Sequence, residues 1–221
     1  MNPRVEAKGY GLDVVYGKHE GDTVVILGNS SSLNAMDLTP LRDYVTIGVN
    51  RILRIFDPTY LFIVDESVMR DEFKRIPPYL EAGGLLMLYP GLMNSKVRAK
   101  YYNGPWISTG PMSSQCDPCA KDGYIHICRG GNSAYEAAQV AYRMGASHII
   151  LAGVDMFWPC SEQSHFFGNG SALGCKLPRP DWKVEDFRHL KELYHSLGTG
   201  ITSCSPWDTP FRRAMGYTPL S

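Results

Sequence analysis

The first residues that could bind a nucleotide lie in the stretch DTVVILGNSSSLNAMDL, residues 22–38. Apolar residues run directly into Gly28 and Asn29, and three serines, Ser30–Ser32, follow. A glycine turn that leads from a strand into a helix can hold a phosphate, because free N–H groups and the helix dipole both favour an anion. The stretch has one glycine where the dinucleotide fingerprint has three, so it predicts a nucleotide-binding turn of another kind.

A second turn of this type lies in CRGGNSAYEAA, where Gly131, Asn132 and Ser133 precede a helical pattern. Two such turns at one edge of a sheet favour a nucleotide site over a chance arrangement. Each turn also has a purely structural interpretation, because serine and asparagine side chains cap helices. Ser31 or Ser32 could cap the helix after the first turn, and Asn132 or Ser133 the helix after the second.

Further polar side chains follow the other apolar runs. Asn50 ends VTIGVN, Asp65 ends TYLFIVD, and Asp155 follows HIILAGV. His165 stands further along, in SHFF. The unperturbed pKa of histidine lies near neutral pH, so His165 can accept and release a proton as a general base. Asp65 could instead be a loop residue whose carboxylate forms its hydrogen bonds within the protein. His165 could be a packed or solvated loop residue.

Four residues of the middle segment have the types that bind zinc: Cys116, Cys119, His126 and Cys128. Cys116 and Cys119 form a CxxC pair, and alternate residues of a strand such as YIHIC share one face. The second pair is closer and less regular than in the usual zinc knuckles, so we favour reduced, unpaired thiols. A zinc site on these four residues is the alternative.

The composition limits the partners of the chain. Its 221 residues are 44% hydrophobic and 20% charged, an ordinary balance for a globular protein with a buried core. Lys and Arg together number 22, as do Asp and Glu, so no net charge draws the chain to nucleic acid or a membrane surface. No secretion signal opens the sequence, and no apolar run reaches the roughly 18 residues of a membrane span. We expect a cytoplasmic protein.

The elements that carry these residues alternate between strands and helices. Continuous apolar runs indicate strands buried on both faces, as in a parallel sheet. The predicted strands are Thr23–Leu27, Val45–Asn50, Thr59–Val64, Leu85–Pro90, Tyr124–Arg129, His148–Gly153 and Gly200–Ser205. The clearest predicted helices span 132–146 and 184–198. The pattern predicts an α/β fold: one Rossmann-like domain over residues 1–221, with a mostly parallel central sheet, helices on both faces and a long loop after the sixth strand.

Two segments interrupt this alternation, residues 102–123 and residues 155–183. Loops longer than about 12–15 residues are uncommon in compact domains and usually act as lids or binding loops. The second segment begins directly after a buried strand, where open α/β sheets form their ligand crevice. We therefore expect residues 155–183 to form a lid over the site that is mobile without ligand.

The C-terminal stretch GITSCSPWDTPFRRAMG predicts a last strand and a short helix. Asp208 is expected to cap that helix and Gly216 to end it. Because the ends of the strands share one edge of the sheet, Ser205 is expected to face the nucleotide. Arg212 or Arg213 would then bring positive charge to the nucleotide. The alternative is a helix that only covers the edge of the sheet.

Five blocks of the sequence resemble, in the same order, small bacterial CMP-sialic-acid-dependent sialyltransferases and related phage and bacterial glycosyltransferase-like proteins. The blocks are VVILGNSSSL, TIGVN, GGNSAYEAAQVAYRMGASHIILAGVDMF, SHFF and GITSCSP. Those sialyltransferases carry sialic acid from CMP-sialic acid to lipooligosaccharide. More distantly, the blocks resemble archaeal-type 6-hydroxymethylpterin pyrophosphokinases. The resemblance covers residues 23–220, nearly the whole chain.

The resemblance implies a role for each matching residue. Asn29 and Ser32 would contact the nucleotide phosphate and ribose, and Asn50 the phosphate or sugar. Asp155 would contact the cytidine ribose or base, and His165 would be the general base for the acceptor hydroxyl. No metal or cofactor is implied, because hydrogen bonds stabilise the leaving phosphate in that family. The full set of expected substrate-binding residues is Gly28, Asn29, Ser31, Ser32, Asn50, Asp65, Gly131, Asn132, Ser133, Asp155, Phe157 and Ser205.

The match to the family is imperfect near the donor. Asn132–Ser133 matches a Thr-Ser pair that touches the donor in the family. Two tyrosine hydroxyls that stabilise the leaving phosphate are replaced here by Phe157 and by Gln163. Phe157 has no hydroxyl to donate, and donors of this kind usually contribute a few kcal/mol to catalysis. The residues that could take over this role are Arg129, Tyr135 and Arg179.

These observations favour a sialyltransferase-like glycosyltransferase that uses a nucleotide sugar, with a CMP-linked sugar as the first candidate donor. The acceptor would be a glycan of the lipooligosaccharide type. One alternative is a 6-hydroxymethylpterin pyrophosphokinase-like enzyme, which would need ATP and a magnesium site on Asp65 with Glu66 or on Asp155. Another is a nucleotide-binding module without catalysis. Nucleic acid is not an expected partner, whereas peripheral membrane contact and a homo-oligomer are both open.

Overall fold

The computed structural model describes residues 9–93, 96–102, 104–109, 112–113, 127–128, 132–156, 165–168 and 181–220. Several predicted features fall outside these residues. They are Gly131, Phe157, three of the four candidate zinc ligands, and residues 157–164 and 169–180 of the expected lid. For these features the expectations from the sequence stay as stated.

Within the described ranges, ten strands form two separate sheets, and all of their strand pairs are parallel. Eight strands form the main sheet in the order β1-β6-β5-β4-β3-β2-β9-β10, and β7 pairs with β8 in the other. The strands are β1 (Gly9–Tyr10), β2 (Thr23–Leu27), β3 (Val45–Val49), β4 (Tyr60–Ile63), β5 (Leu85–Leu88), β6 (Trp106–Ser108), β7 (Met112–Ser113), β8 (Ile127–Cys128), β9 (His148–Ala152) and β10 (Gly200–Ser203).

The strand order reverses between β2 and β9. The chain runs from β2 outward through β3, β4, β5 and β6, whereas β9 pairs with the other side of β2 and carries β10 beyond it. In open α/β sheets, ligands bind outside the carboxyl ends of the strands at such a switch point. The topology therefore points to the turns that follow β2 and β9.

The predicted α/β fold with a parallel sheet is confirmed, and six of the seven predicted strands lie in the main sheet. The exception is Tyr124–Arg129: its described part, β8, pairs with β7 in the small sheet rather than joining the main one. The strands β1 and β6 of the main sheet, and β7 of the small sheet, were not predicted. All three are very short, and β6 follows Gly104 and Pro105, which are typical of a loop.

The described residues also form seven α-helices, six before the last strand and one after it. They are α1 (Glu66–Glu72), α2 (Ile76–Glu81), α3 (Pro90–Met93), α4 (Lys96–Tyr101), α5 (Ser133–Arg143), α6 (Asp181–Ser196) and α7 (Pro210–Met215). Both of the longer predicted helices are confirmed, as α5 and α6. None of the helices in the described ranges is long and apolar enough to cross a membrane.

Each face of the main sheet has its own hydrophobic core. Alternate strand residues point to opposite faces, so Val24 and Ile26 enter one core and Val25 and Leu27 the other. The first core contains buried residues of α5, α6 and α7, and the second contains residues of α1 and α2. Burial on both faces explains why the strands are continuous apolar runs in the sequence.

The cap of α7 differs from the prediction. Thr209, not Asp208, precedes the first helical residue, and its side chain accepts a hydrogen bond from the N–H of Arg212 at 3.1 Å. Asp208 lies one residue too early to cap the helix, and it instead binds Arg213 through two hydrogen bonds of 2.9 and 2.7 Å. Gly216 ends the helix with a φ of 78°, as predicted.

Candidate functional site

The turns after β2 and β9 are locked together through their main chains. The N–H of Gly28 donates to the carbonyl of Ala152 at 2.8 Å, and that of Ser30 to the carbonyl of Gly153 at 3.0 Å. A Cβ atom at Gly28 would lie 2.1 Å from the Gly153 oxygen, so only glycine fits. Gly153 itself has a φ of 63°, which also favours glycine. The predicted glycine turn is therefore required for close approach of two backbones.

The serines after Gly28 do not cap a helix. Residues Ser31–Ala35 form a short 3-10 helix, and no serine side chain caps its start. Ser30 accepts a hydrogen bond at its Oγ from the N–H of Asp155, at 3.3 Å. Ser31 and Ser32 are both buried, and the hydroxyl of Ser32 has no hydrogen-bond partner among the described residues. The capping interpretation of Ser31 and Ser32 is thus wrong, and their burial is the relevant property.

Two asparagines follow the neighbouring strands β2 and β3, and the side chain of each forms hydrogen bonds with other elements at the cavity. Asn29 donates from Nδ2 to the carbonyl of Val49 at 3.0 Å, but its Oδ1 is buried without a partner among the described residues. Asn50 has a φ of 55°, an uncommon conformation for a residue with a side chain. It donates from Nδ2 to the Ser133 Oγ at 3.1 Å and accepts from the N–H of Val64 at 3.3 Å. Asn50 therefore ties β3 to the start of α5.

Asn132 is the N-cap of α5. Its Oδ1 accepts hydrogen bonds from the N–H groups of Ala134 at 2.8 Å and Tyr135 at 3.3 Å. The predicted cap is confirmed, and it uses two of the N–H groups that an anion at this helix start would need. On the other side, the Nδ2 of Asn132 lies 3.5 Å from the sulfur of Met156. Asn132 thus contacts both α5 and the segment after β9.

Asp155 is a buried carboxylate, only 1% exposed. Neither of its oxygens has a hydrogen bond of good geometry to another described residue. Burial raises its pKa, and the nearby hydroxyls of Ser205, Ser32 and Ser30 oppose that rise in part. A buried carboxylate without full hydrogen bonding is costly, so its two oxygens are available to accept from a ligand.

His165 lies against the turn after β2. Its main chain forms isolated antiparallel bridges with Ser30 and with Gly168, and the neighbouring Phe166 donates its N–H to the carbonyl of Asn29 at 3.1 Å. Burial lowers the pKa of His165, and the positive charge of Arg51 lowers it further. The imidazole is therefore neutral at neutral pH, which is the state that a general base requires.

These residues line one cavity of about 230 Å³ at the switch point of the sheet. His165 forms part of its wall. The predicted substrate residues that line it are Gly28, Asn29, Asn50, Asn132, Ser133 and Asp155. Of the other predicted residues, Ser31, Ser32 and Ser205 are buried outside the lining, and Ser205 lies near the Asp155 carboxylate.

Asp65 is not brought to the cavity. It precedes α1, is exposed, and is absent from the lining, as is Glu66. The cavity lies at the ends of β2, β3 and β9, whereas Asp65 follows β4 further out in the sheet. Within the described ranges, no cluster of three His, Cys, Asp or Glu side chains is arranged to hold a metal ion.

The arginines of α7 also lie outside the cavity. Arg213 pairs with Asp208 on the surface, where both side chains are about two-thirds exposed, at 67% and 66%. Arg212 donates to the carbonyl of Pro206 at 3.2 Å, and its guanidinium lies over the ring of Tyr217. Both guanidinium groups bind partners within the C-terminal segment and neither residue lines the cavity, so the arrangement does not favour the expectation that Arg212 or Arg213 supplies charge to a nucleotide, which stays a prediction.

Sequence reasoning missed three contributors to the site. Ser30 contacts both Asp155 and His165, and nothing in the sequence distinguishes it from the two serines that follow. Met156 lines the cavity with a φ of 48°, and no residue type in its neighbourhood indicates that conformation. The ring of Phe167 stacks on His165 with centroids 5.0 Å apart. The aromatic pair in SHFF was the only sequence signal for this contact.

A larger cavity of about 310 Å³ lies at the opposite edge of the sheet, near the amino ends of β3, β4 and β5. Its lining includes Thr46, Thr59 and Tyr79. Their hydroxyls bind neighbouring protein atoms: the two threonines contact each other, and Tyr79 donates to the carbonyl of Leu85 at 3.0 Å. We therefore assign the site to the cavity at the switch point, whose lining includes Asn29 and Asp155 with their buried acceptor oxygens.

Comparison with known proteins gives matches in structure and none in sequence. No known protein family and no curated protein matches the chain by sequence. The fold is similar to that of the sialyltransferase CstII from Campylobacter jejuni in complex with a substrate analogue, cytidine-5'-monophosphate. That structure has a TM-score of 0.58 and 14% identity, over 91% of this chain and 86% of that one.

Two further structures have the same general fold. CstII in complex with a trisaccharide acceptor and CMP has a TM-score of 0.54 and 14% identity, over 90% of this chain and 86% of that one. The MAf glycosyltransferase from Magnetospirillum magneticum AMB-1 has a TM-score of 0.51 and 14% identity, over 92% of this chain and 33% of that one. At these identities the likeness shows that the chain has the fold of these glycosyltransferase structures.

Proposed function

We propose that this chain is a nucleotide-sugar-dependent glycosyltransferase of the sialyltransferase-like type, with the donor in the cavity at the switch point. The observation that carries the proposal is the position of His165 in the wall of the cavity that Asn29, Asn50 and Asp155 also line. A neutral imidazole and several polar groups thus face one space. The proposal is further supported by the fold, which is similar to that of CstII in complexes with CMP and with a trisaccharide acceptor.

The unpaired groups of the site suit a nucleoside. Asn29 Oδ1 can only accept hydrogen bonds, and so can both oxygens of an ionised Asp155, so donor groups on a ligand would complement them. Ribose hydroxyls and the amino group of cytosine are donors of this kind. We therefore propose that the nucleoside part of the donor binds at Asn29 and Asp155, with Ser32 and Ser205 supporting the carboxylate. A CMP-linked sugar is the first donor to test.

His165 would activate the acceptor. In the proposed step, the acceptor hydroxyl oxygen forms a bond to the anomeric carbon while the bond from that carbon to the phosphate oxygen breaks. The hydroxyl proton passes to a ring nitrogen of His165 and then to solvent, and the nucleoside monophosphate leaves. Burial and Arg51 keep the imidazole neutral, which readies it to accept that proton. The acceptor in this proposal is a glycan, and the whole chain acts as one nucleotide-binding domain in the cytoplasm.

The test is a panel of CMP-, UDP-, GDP- and ADP-linked sugars, with and without glycan acceptors, in which nucleotide release is measured. We expect release from one donor class, and we expect His165→Ala to lower kcat by a factor of at least about 100. The affinity for the free nucleotide should change little, because the base acts on the acceptor. His189→Ala is the matched control, since His189 is exposed on α6.

Other outcomes would overturn the proposal. Nucleotide binding without turnover for any donor or acceptor would indicate a binding module. Magnesium-dependent release of AMP from ATP with a hydroxymethylpterin would indicate a pyrophosphokinase. Full activity of His165→Ala would remove the histidine from the mechanism even if a transferase activity were found.

A further inference from the structure

Glu72, the last residue of α1, is a buried carboxylate whose side chain is only 1% exposed. Its closest partner is Arg54, with Nη2 at 2.5 Å and Nε at 2.7 Å from Oε1. The Nε of Arg75 lies 3.1 Å from Oε2, and that of Arg51 lies 3.9 Å from Oε1. A buried carboxylate is stable only with such partners. Glu72 and these three arginines therefore form one unit, which we call the Glu72 cluster.

Two guanidinium groups of the Glu72 cluster contact an aromatic ring at the candidate site. The Cζ atoms of Arg51 and Arg54 lie 5.4 and 5.2 Å from the centre of the Phe167 ring. A cation at such a distance is attracted to the face of the ring. Phe167 in turn stacks on the imidazole of His165, with centroids 5.0 Å apart and planes 29° apart. Contacts thus run from α1 to the histidine without a gap.

The Glu72 carboxylate determines where the Arg54 guanidinium lies, whereas Arg51 lies 3.9 Å from Glu72 and donates to the Asp71 carboxylate at 2.7 Å. Arginine side chains are long and flexible, and those of Arg51 and Arg54 are 21% and 33% exposed, so both could turn toward solvent. A buried carboxylate that accepts charge-assisted hydrogen bonds restricts that freedom. Phe167 is then held between fixed cations and the imidazole. Without Glu72 the Arg54 cation would leave the ring, and the support of the imidazole would loosen.

We propose that Glu72 is a positioning residue that fixes the orientation of the His165 imidazole chiefly through Arg54 and Phe167, with Arg51 as a second contact. This inference rests on the proposed function for the part that concerns the rate, because it takes His165 as the general base. Neither Glu72 nor the two arginines nor Phe167 lines the cavity. Glu72 therefore acts on turnover and leaves nucleotide binding alone.

The test compares Glu72→Gln, Phe167→Leu and the double variant with the wild-type protein. We expect each single variant to lower kcat by about 10- to 100-fold, since small misplacements of a catalytic group have effects of this size. We expect the donor KM and the nucleotide Kd to stay within a factor of about 2, well below the tenfold change that corresponds to about 1.4 kcal/mol. Glu185→Gln is the matched control, because Glu185 forms an exposed ion pair with Arg188 on α6.

The orientation of the ring can be read without catalysis. The ring protons of His165 lie beside the Phe167 ring, so their NMR shifts carry a ring-current contribution in the wild-type protein. In Glu72→Gln these shifts should move toward those of Phe167→Leu. The double variant should lose no more activity than the worse single variant, because residues that act through one chain of contacts are not additive.

Three results would overturn the inference. They are unchanged His165 shifts in a folded Glu72→Gln variant, additive losses in the double variant, and a loss of nucleotide affinity that equals the loss of kcat. If Glu72→Gln fails to fold, Arg54→Met takes its place, since it removes one cation from Phe167 at a partly exposed position. If the wild-type protein shows no turnover, the proposed function fails while the NMR shifts still decide the role of Glu72.

Discussion

The main chain of His165 pairs with that of Ser30 in an isolated antiparallel bridge. The same serine accepts a hydrogen bond at Oγ from the N–H of Asp155, at 3.3 Å. One residue of the turn after β2 therefore joins the histidine to the aspartate. Because Gly28 sets the path of this turn, a change there is expected to disturb both sides of the cavity.

Gly28→Ala tests this dependence. The new methyl group would lie 2.1 Å from the Gly153 carbonyl oxygen and 2.8 Å from the Val154 side chain, so the two turns must separate. We expect the free energy of unfolding to fall by about 1–3 kcal/mol, as for other overpacked positions. Urea unfolding and nucleotide affinity are the measurements. Gly200→Ala is the control, because its Cβ would make only ordinary contacts of 3.4 Å or more. Equal effects of the two variants would contradict the prediction.

Asp155→Asn should stabilise the empty protein at neutral pH. Burial raises the folded-state pKa of Asp155 above the ordinary aspartate value of 3.8, so the unfolded chain releases this proton at a lower pH than the folded chain. The free energy of unfolding therefore falls as the pH rises from the unfolded-state pKa to the folded-state pKa. Asparagine removes that loss because it cannot ionise. Thermal unfolding should show a higher Tm for the variant at pH 7, with a difference that shrinks below about pH 4.

The same variant should bind nucleotide more weakly, since it loses the acceptor oxygens that we assign to the nucleoside. A gain in stability with a loss of binding is typical of residues kept for function. A Tm at pH 7 below that of the wild-type protein would contradict the stability prediction.

Arg51→Gln should raise the pKa of His165. Burial is the main cause of the lowered pKa and the Arg51 charge is the second, so removing that charge stabilises the imidazolium. The acid limb of the kcat/KM profile in the wild-type protein is expected below about 6.5, the ordinary histidine value, and the variant should move it toward higher pH. NMR titration of His165 gives the same quantity directly. Arg188→Gln on α6 is the control, and a limb that moves to lower pH would refute the assignment.

The double variant Arg212→Gln and Arg213→Gln should leave nucleotide affinity unchanged. One guanidinium is paired with Asp208 and the other lies over Tyr217, so neither faces the cavity. Thr209→Ala, which removes the cap of α7, should instead lower the free energy of unfolding by about 1 kcal/mol. Calorimetric titration with nucleotide and urea unfolding separate the two effects. A several-fold loss of affinity in the arginine variant would restore the α7 arginines as ligand contacts.

The parts of the site that the sequence predicts well are those set by local pattern. Asn29, Asn50 and Asp155 each follow a buried apolar run, and in a parallel sheet such positions share one edge. The N-cap of α5 is equally local, because Asn132 contacts residues two and three positions ahead. Local pattern also predicted both long helices.

The features of the site that the sequence does not predict depend on the order of the strands and on packing between distant segments. Asp65 also follows a buried strand, yet β4 lies two strands from β2, and nothing near Asp65 in the sequence indicates that distance. Likewise, the burial of Glu72 depends on arginines that only the folded chain brings to it. Such contacts have no periodic signature, so a single sequence cannot reveal them.

The pairing of β2 with β9 has a consequence for the order in which the protein matures. Ser30 and Asp155 are 125 residues apart in the chain, so the two halves of the cavity leave the ribosome far apart in time. Contacts of such long range form late and slowly, because the intervening chain must first be ordered. We therefore expect that a nascent chain acquires affinity for nucleotide only after β9 has docked. Nucleotide would then stabilise nearly complete chains by binding to them, whereas shorter nascent chains would stay accessible to proteases and chaperones.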